Sequence, residues 1–356
     1  MALSTIPTRA LSEQGINFRN LIINGDMSIA QRGTTQTGIT SSQYPNAPDR
    51  FHFNLSSAGT WTISQSTDVP SGQGFGYSEK FQCTTADVSL ASSDFVMVRT
   101  LLEAQNLQHL KYGTSSAESL TLSFWVKSNK TGTYVIWFYA DDGNRTISKA
   151  YTISSADTWE KKTITIDGDT AGTINNDNGI GFRVNFYLGA GSNYTSGTLA
   201  SSWQTDSNGD RAVGQVNLAD STSNYINITG VQLEVGTTAS DFEFLPYDVN
   251  LRRCERYTRR LGDGLWGKAS STTNMIIQAP FFSPMRATPS ISAITSAIKT
   301  SDVTAADYTS STGITGANIN AYGARLGCSN FSGLTSANMY ILYDNSSYIA
   351  LIDAEL

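Results

Sequence analysis

The sequence predicts an all-β fold, and three observations carry that prediction. Short stretches alternate apolar and polar residues with a period of two. Turn formers punctuate them, with 30 glycines and 8 prolines spread along 356 residues. Charge is scarce, at 15% of residues against ~25% in an ordinary soluble domain. Polar surface must then come from Ser, Thr, Asn and Gly, which suits many short strands joined by tight turns. The length allows one large β domain or two ordinary ones.

Residues 1–19 form a polar leader containing Pro7, Arg9 and Arg19, with neither strand nor helix period. It is expected to dock on another protein rather than to complete the core. Residues 20–33 read NLIINGDMSIAQRG, where Asn24-Gly25-Asp26 should turn or bulge a first strand. WTISQS (61–66) alternates Trp61, Ile63 and Gln65. VRTLLEAQNLQHLKYG (98–113) reads as a strand turning into a short helix closed by Gly113.

The clearest segment is SLTLSFWVKSNKTGTYVIWFYA (119–140), with Leu120, Leu122, Phe124 and Val126 on one face. After the loop Ser-Asn-Lys-Thr-Gly, Tyr134 to Tyr139 return as a strand apolar on both faces. Such a strand needs cover on both sides, or presents one side as an aromatic platform. WEKKTITI (159–166), GIGFRVNFYLGAG (179–191) and NYINITGVQLEVG (224–236) continue the pattern.

NLRRCERYTRRL (250–261) reads as a linker helix, with Leu251, Cys254, Tyr257 and Leu261 on one face and Glu255–Arg259 at i, i+4. Its five arginines against one glutamate read as a solvated face at a junction, or else as an anion-binding surface. It separates a β-sandwich over 20–249 from a smaller β domain over 262–356. The closing segment MYILYDNSSYIALIDAEL is apolar on both faces, Tyr340 and Leu342 against Ile341 and Tyr343. Neighbouring chains are expected to cover it, and the expected assembly is a homotrimer.

A net charge of −6 argues against wrapping nucleic acid. No apolar run approaches the ~18 residues of a membrane span. Cys83, Cys254 and Cys328 lack metal or disulfide spacing and read as buried thiols of a chain folded in a reducing cytoplasm. The N-terminus lacks the apolar core of a signal peptide, so delivery by assembly or lysis is expected.

Only His52 and His109 could serve a histidine-based triad, and no GxSxG, Walker A or HExxH motif occurs. Asp141, Asp142, Asp206 and Glu234 are the carboxylates a glycosidase would have to pair, but Asp141-Asp142-Gly143-Asn144 is more simply a turn. A non-enzymatic protein is expected.

What remains is aromatic. Flat rings bind the apolar faces of sugars, while polar side chains fix the hydroxyls. Trp125 and Trp159 are expected in the core. Trp137 and Tyr139 share a face of the doubly apolar strand, and Tyr194 and Trp203 bracket the loop YTSGTLASSW. These four are the candidate glycan-binding residues.

Several ordered blocks resemble a phage and prophage virion family with a carbohydrate-binding-module-like jelly roll. They are NLIINGDMSIAQRG, APDRF (47–51), LTLSFWVKS (120–128), TWEKKTITIDGDT (158–170), ITGVQLEVGTTASDFEFLPYDVNLRRCERY (228–257) and MRATPSI (285–291). The resemblance covers about 18–291, and such modules occur in tail fibres and other virion surface proteins, often of marine and cyanobacterial phages. It implies a jelly roll of two antiparallel sheets, with GVQLEVG as last strand beside the opening segment. It also implies a structural calcium near that seam, for which Asp26 and Asp241 are the candidate ligands. The implied role is host attachment, with a tail fibre or spike binding host-surface carbohydrate and residues 1–19 engaging other virion proteins. A head decoration or head-fibre protein of the same fold, without sugar affinity, is the alternative.

Overall fold

The computed structural model describes residues 18–262, 264–293, 299–301, 307–309, 314–343 and 348–356. The docking leader therefore lies outside the described residues as far as residue 17. Phe18 and Arg19 lie against the sandwich, where the Arg19 amide donates to Glu243 and its side chain to the Asp241 carbonyl.

In chain order the first twelve strands are β1 (Thr35–Ile39), β2 (His52–Ser56), β3 (Thr60–Ser66), β4 (Ser78–Thr85), β5 (Phe95–Glu103), β6 (Leu120–Ser128), β7 (Gly132–Ala140), β8 (Arg145–Ile153), β9 (Glu160–Ile166), β10 (Ile180–Ala190), β11 (Gln204–Thr205) and β12 (Tyr225–Val235). They pair antiparallel into two sheets, β1-β3-β4-β12-β6-β9 and β11-β8-β7-β10-β5-β2. The result is a jelly-roll β-sandwich. The inner faces meet in one core, with Trp61, Phe81, Leu122, Phe124 and Leu233 from the first sheet and Phe53, Val98, Phe138, Val184 and Phe186 from the second. Alternation chose these residues, because side chains on a strand point alternately to either face.

The two strands of 119–140 form where expected but do not pair with each other. β6 lies between β12 and β9, and β7 lies between β10 and β8 in the opposite sheet. Trp125 and Trp159 are likewise not core; both are only half-buried. Trp125 alternates with the inward Phe124, while the Trp159 indole donates to Asp68. Trp61 is the fully buried core indole.

No strand forms in 20–33. Leu21–Asp26 bends and turns, with Asn24 at φ 62°. The Asn24 side chain donates to the Ile29 and Asp49 carbonyls and accepts from the Ile29 amide. Gly25 is required by proximity, since a Cβ there would meet the Val231 carbonyl oxygen at 2.0 Å. The segment runs beside β12 as expected, with the Leu21 amide donating to Leu233 and the Val231 amide to Gly25, each at 2.9 Å. After β5, a 3-10 helix (Ala104–Leu110) ends on a left-handed Lys111, two residues before Gly113.

The linker helix is shorter than expected. α1 runs Tyr247–Glu255, and the chain then enters β13 (Thr258–Gly262), so residues 258–261 are strand. The reason is pairing: β13 hydrogen-bonds with the last strand of the chain. The remaining strands are β14 (Leu265–Ala269), β15 (Met275–Pro280), β16 (Ser290–Ala293), β17 (Lys299–Ser301), β18 (Asp307–Thr309), β19 (Ile314–Asn320), β20 (Gly323–Cys328), β21 (Met339–Tyr343) and β22 (Tyr348–Asp353). They form the sheets β13-β22-β16 and β18-β17-β21-β14-β15-β20-β19 around their own core, including Met275, Ile277, Leu326, Tyr340, Leu342 and Ile352. Tyr340 and Leu342 point into that core and Ile341 away from it; the Tyr343 side chain lies outside the described residues.

The opening motif clasps the two parts together. Gln31 donates to Asp49 (2.7 Å) and to the Thr258 carbonyl (2.6 Å). Arg32 pairs with Asp353 (2.7 Å) and Glu355 (3.3 Å). Arg50 pairs with Glu355, donates to the Leu101 carbonyl and lies 3.4 Å from the Tyr257 ring centroid. QRG and APDRF are thus the joint between the sandwich and the C-terminal strands. All three thiols are free and buried.

Candidate functional site

Directly paired residues of neighbouring strands share a face, so the register lays out the outer surface of the β11-β8-β7-β10-β5-β2 sheet. One row runs His52, Arg99, Asn185, Trp137, Ser148 across five strands. Two residues along lies a second row, Arg183, Tyr139, Thr146. On the other side, Asn54, Met97 and Tyr187 form a third. The loop after β10 folds over one flank, bringing in Tyr194, Arg211 and Ala212.

The aromatic part is a small cluster of its own, separate from the sandwich core. Met97, Trp137, Tyr187 and Ala212 form its buried base, and Phe95, Tyr139 and Tyr194 lean on it half-covered. The Trp137 and Tyr139 centroids are 5.2 Å apart and tilted by 38°. Trp137 is only 5% exposed. Its indole donates to Thr146, and the Arg211 guanidinium sits 4.3 Å from its ring centroid, held by Asp206. Trp137 is therefore a covered base, and Tyr139 is the more open ring. The Tyr139 hydroxyl donates to Asn144 at 2.9 Å.

Three of the four aromatic candidates, Trp137, Tyr139 and Tyr194, thus come together. Trp203 does not. It contacts Tyr112 and the inward-facing Phe182, and its indole donates to the Asp167 carbonyl at 2.6 Å. A polar loop carries this indole because it plugs the end of the sandwich.

The polar part is where sequence reading missed the site. Asn185 is fully buried; its amide donates to the Trp137 carbonyl, but its Oδ1 has no partner. The buried Nε of Arg99 and Nδ1 of His52 also lack partners. Among the described residues Arg99 makes no hydrogen bond or ion pair, whereas Arg183 beside it is forked onto Asp141. Burial, reinforced by Arg99 and Arg183, pushes the His52 imidazole down to about 3, so it is neutral at physiological pH. Burial and the neighbouring Arg183 also lower Arg99. The available signal was Arg99 as the lone charge in FVMVRTLL, with Arg183, Asn185 and Tyr187 alternating along β10.

The carboxylates weighed for hydrolysis are held by fixed partners. Asp141 binds Arg183, Asp206 binds Arg211, Asp142 accepts from the Asn175 backbone and side chain, and Glu234 accepts from Ser240. For calcium, Asp26 accepts from Ser28 and Asn250, and the exposed Asp241 offers its carbonyl to Arg19. No group of three or more His, Cys, Asp or Glu side chains suited to a metal occurs among the described residues. No helix among them is long and apolar enough to cross a membrane.

No family model and no curated protein matches the chain. Among solved structures it is similar to the enzymatically active domain of bacteriophage CBA120 tailspike protein 4, at 13% identity and TM-score 0.33, over 61% of this chain and 22% of that one. It is also similar to TmCBM61 in complex with β-1,4-galactotriose, at 11% identity and TM-score 0.30, over 61% and 99% of the two chains. A putative sugar-binding protein from Bacteroides thetaiotaomicron gives 11% identity and TM-score 0.33, over the same shares.

Proposed function

We propose that this chain is a non-enzymatic, carbohydrate-binding attachment protein of a phage virion, made in the host cytoplasm and displayed on the particle surface. The observation that carries the sugar-binding reading is the row His52–Arg99–Asn185–Trp137. There, buried polar atoms without partners stand beside an aromatic cluster whose Tyr139 is half-exposed, with the Arg183 guanidinium 5.5 Å from its ring centroid. A sugar supplies a C–H face for the half-exposed Tyr139, and its polar substituents suit the half-buried Arg99 and His52 at the other end of the row. The virion role rests on the resemblance of the ordered sequence blocks alone.

The homotrimer belongs to the same reading. On the outer face of the seven-stranded sheet, Trp266 and Met339 are 51% and 49% exposed and, with the half-buried Ile276, line a groove of about 450 Å³. An apolar face of this kind suits a second copy of the chain.

A glycan array probed with the whole protein tests the function, with Tyr139→Ala as the face variant. Wild-type binding weakened in Tyr139→Ala at unchanged melting temperature supports it. A blank array, together with normal incorporation into particles, would favour the decoration-protein alternative. Light scattering at micromolar concentration tests assembly, and a monomer would refute the trimer.

A further inference from the structure

We propose that the sheet face recognises an acidic sugar, with Arg99 receiving a singly charged carboxylate or sulfate ester at the polar end of the row. This rests on the carbohydrate-binding reading above and specifies its ligand.

The inference comes from how charge is spent on this face. Two guanidinium groups lie in adjacent rows, and they differ. Arg183 is satisfied by Asp141 through its Nε and Nη2. Arg99 has no hydrogen bond or ion pair among the described residues, its Nε is buried, and the Asp141 charge that reaches it is already engaged by Arg183. Its surroundings are His52, Asn185 and the nearby Tyr44, whose ring meets the His52 ring edge-on at 4.8 Å. A half-buried guanidinium without an acid is costly, and its planar fork matches a carboxylate or sulfate oxygen pair. His52 is neutral, so the local balance is two arginines against one aspartate. One positive charge remains, which fits a monoanion better than a dianionic phosphate beside Asp141.

The layout also sets the order of contacts. Asn185 lies between Arg99 and Trp137 in one cross-strand row, and Tyr139 flanks Trp137. A pyranose ring stacked on Tyr139 would lie over the row without touching Asn185, which is fully buried. Its acidic substituent, or that of the next sugar, would reach Arg99. Neutral sugars would use the aromatic end alone.

The experiment uses the whole protein with matched oligosaccharides: an oligogalacturonate, its methyl ester, a sulfated galactan oligomer and a neutral galactan oligomer, read by calorimetry at two salt concentrations. Arg99→Gln and Tyr139→Ala are the variants, each checked for folding by thermal melting. The expected result is that at least one acidic oligomer binds about tenfold more tightly than its neutral counterpart. Salt should weaken that preference, and Arg99→Gln should bring the acidic oligomer to the affinity of its neutral counterpart. Uronate or sulfate ester is decided by which acidic oligomer shows the preference. Equal binding of acidic and neutral oligomers, weakened in Tyr139→Ala, would overturn the acidic-sugar inference and keep the carbohydrate reading. An acidic preference that survives Arg99→Gln would overturn the assignment to Arg99. Binding of none of the four would overturn the inference for these sugar classes, and a glycan array blank as well would remove the reading beneath it.

Discussion

Two arginine clusters in this molecule are treated in opposite ways. In the clasp, Arg32 and Arg50 are nearly inaccessible and face Asp49, Asp353 and Glu355. Arg50 also uses a carbonyl and an aromatic ring, leaving only its Nε unpaired. On the sheet face, Arg183 holds Asp141, while Arg99 forms no ion pair and feels only the Asp141 charge that Arg183 already engages. A fold that can place three acids around two arginines is not short of counter-ions. The difference separates charges consumed in holding the structure from a charge left over for something outside it.

Breaking the clasp should have the largest effect. Glu355 joins both arginines, with its side chain only 5% exposed. Removing one partner of a buried ion pair leaves the other uncompensated, so Glu355→Leu should cost about 3–5 kcal/mol in denaturant unfolding. Arg50→Met with Glu355→Leu should recover part of that loss, because no charge is then stranded at that pair. A single change costing under about 1 kcal/mol would mean that the clasp contributes little.

The second largest effect concerns an unpaired charge that lies inside the sandwich. Glu79 is fully buried, and neither carboxylate oxygen has a partner. Burial raises its pKa well above the ordinary 4.5. The folded state therefore holds the proton longer than the unfolded one. Stability from this group is greatest below the unfolded pKa and declines as pH rises above it. Glu79→Met should stabilise the protein by about 1–3 kcal/mol at pH 8, with a smaller gain at pH 4. Equal gains at both pH values would contradict the protonation argument.

Next comes the binding face itself. Tyr139→Ala should weaken glycan binding by about 1 kcal/mol per site, the scale of one aromatic contact, and multivalent display would amplify it. Trp203→Ala should act differently. Because Trp203 plugs the sandwich against Tyr112 and Phe182, its loss should lower the melting temperature first. If Trp203→Ala melted normally and lost binding, the two aromatic sites would have to be reassigned.

These contrasts also mark what could be read from sequence. Period-two alternation put Trp61 with Ile63, and Leu122 with Phe124, on faces that the structure buries, because a face depends only on local pattern; the place of the opening segment beside β12 came from the family resemblance. Alternation says which residues share a face but not which sheet a strand joins, so the split of β6 and β7 between sheets was not legible. The same limit placed Trp125 and Trp159 wrongly inside. Long-range pairing was equally hidden. Arg32 meets Asp353 across 321 positions, and pairing of β13 with β22 ended the helix at Glu255 rather than Leu261. Within the site, aromatic residues were legible one by one. The row of His52, Arg99 and Asn185 was not, since it exists only through the register of β2, β5 and β10.

The smallest expected effect is the most discriminating, because its sign differs between the clusters. In the clasp, any arginine removed leaves acids stranded, so Arg32→Gln or Arg50→Gln should lower stability. Arg99 forms no such ion pair, and burial beside Arg183 disfavours its charge and lowers its pKa. Arg99→Gln should therefore leave the melting temperature unchanged or raise it by about 2 °C. A residue kept at a cost to the free protein fits a site whose counter-ion arrives with a ligand. Thermal melts of wild type and Arg99→Gln, with and without an acidic oligosaccharide, measure both halves of this statement. The acidic sugar should raise the wild-type melting temperature and leave Arg99→Gln where it was. If Arg99→Gln instead melts several degrees lower without ligand, Arg99 belongs with the clasp arginines as part of the fold, and the contrast between the two clusters fails.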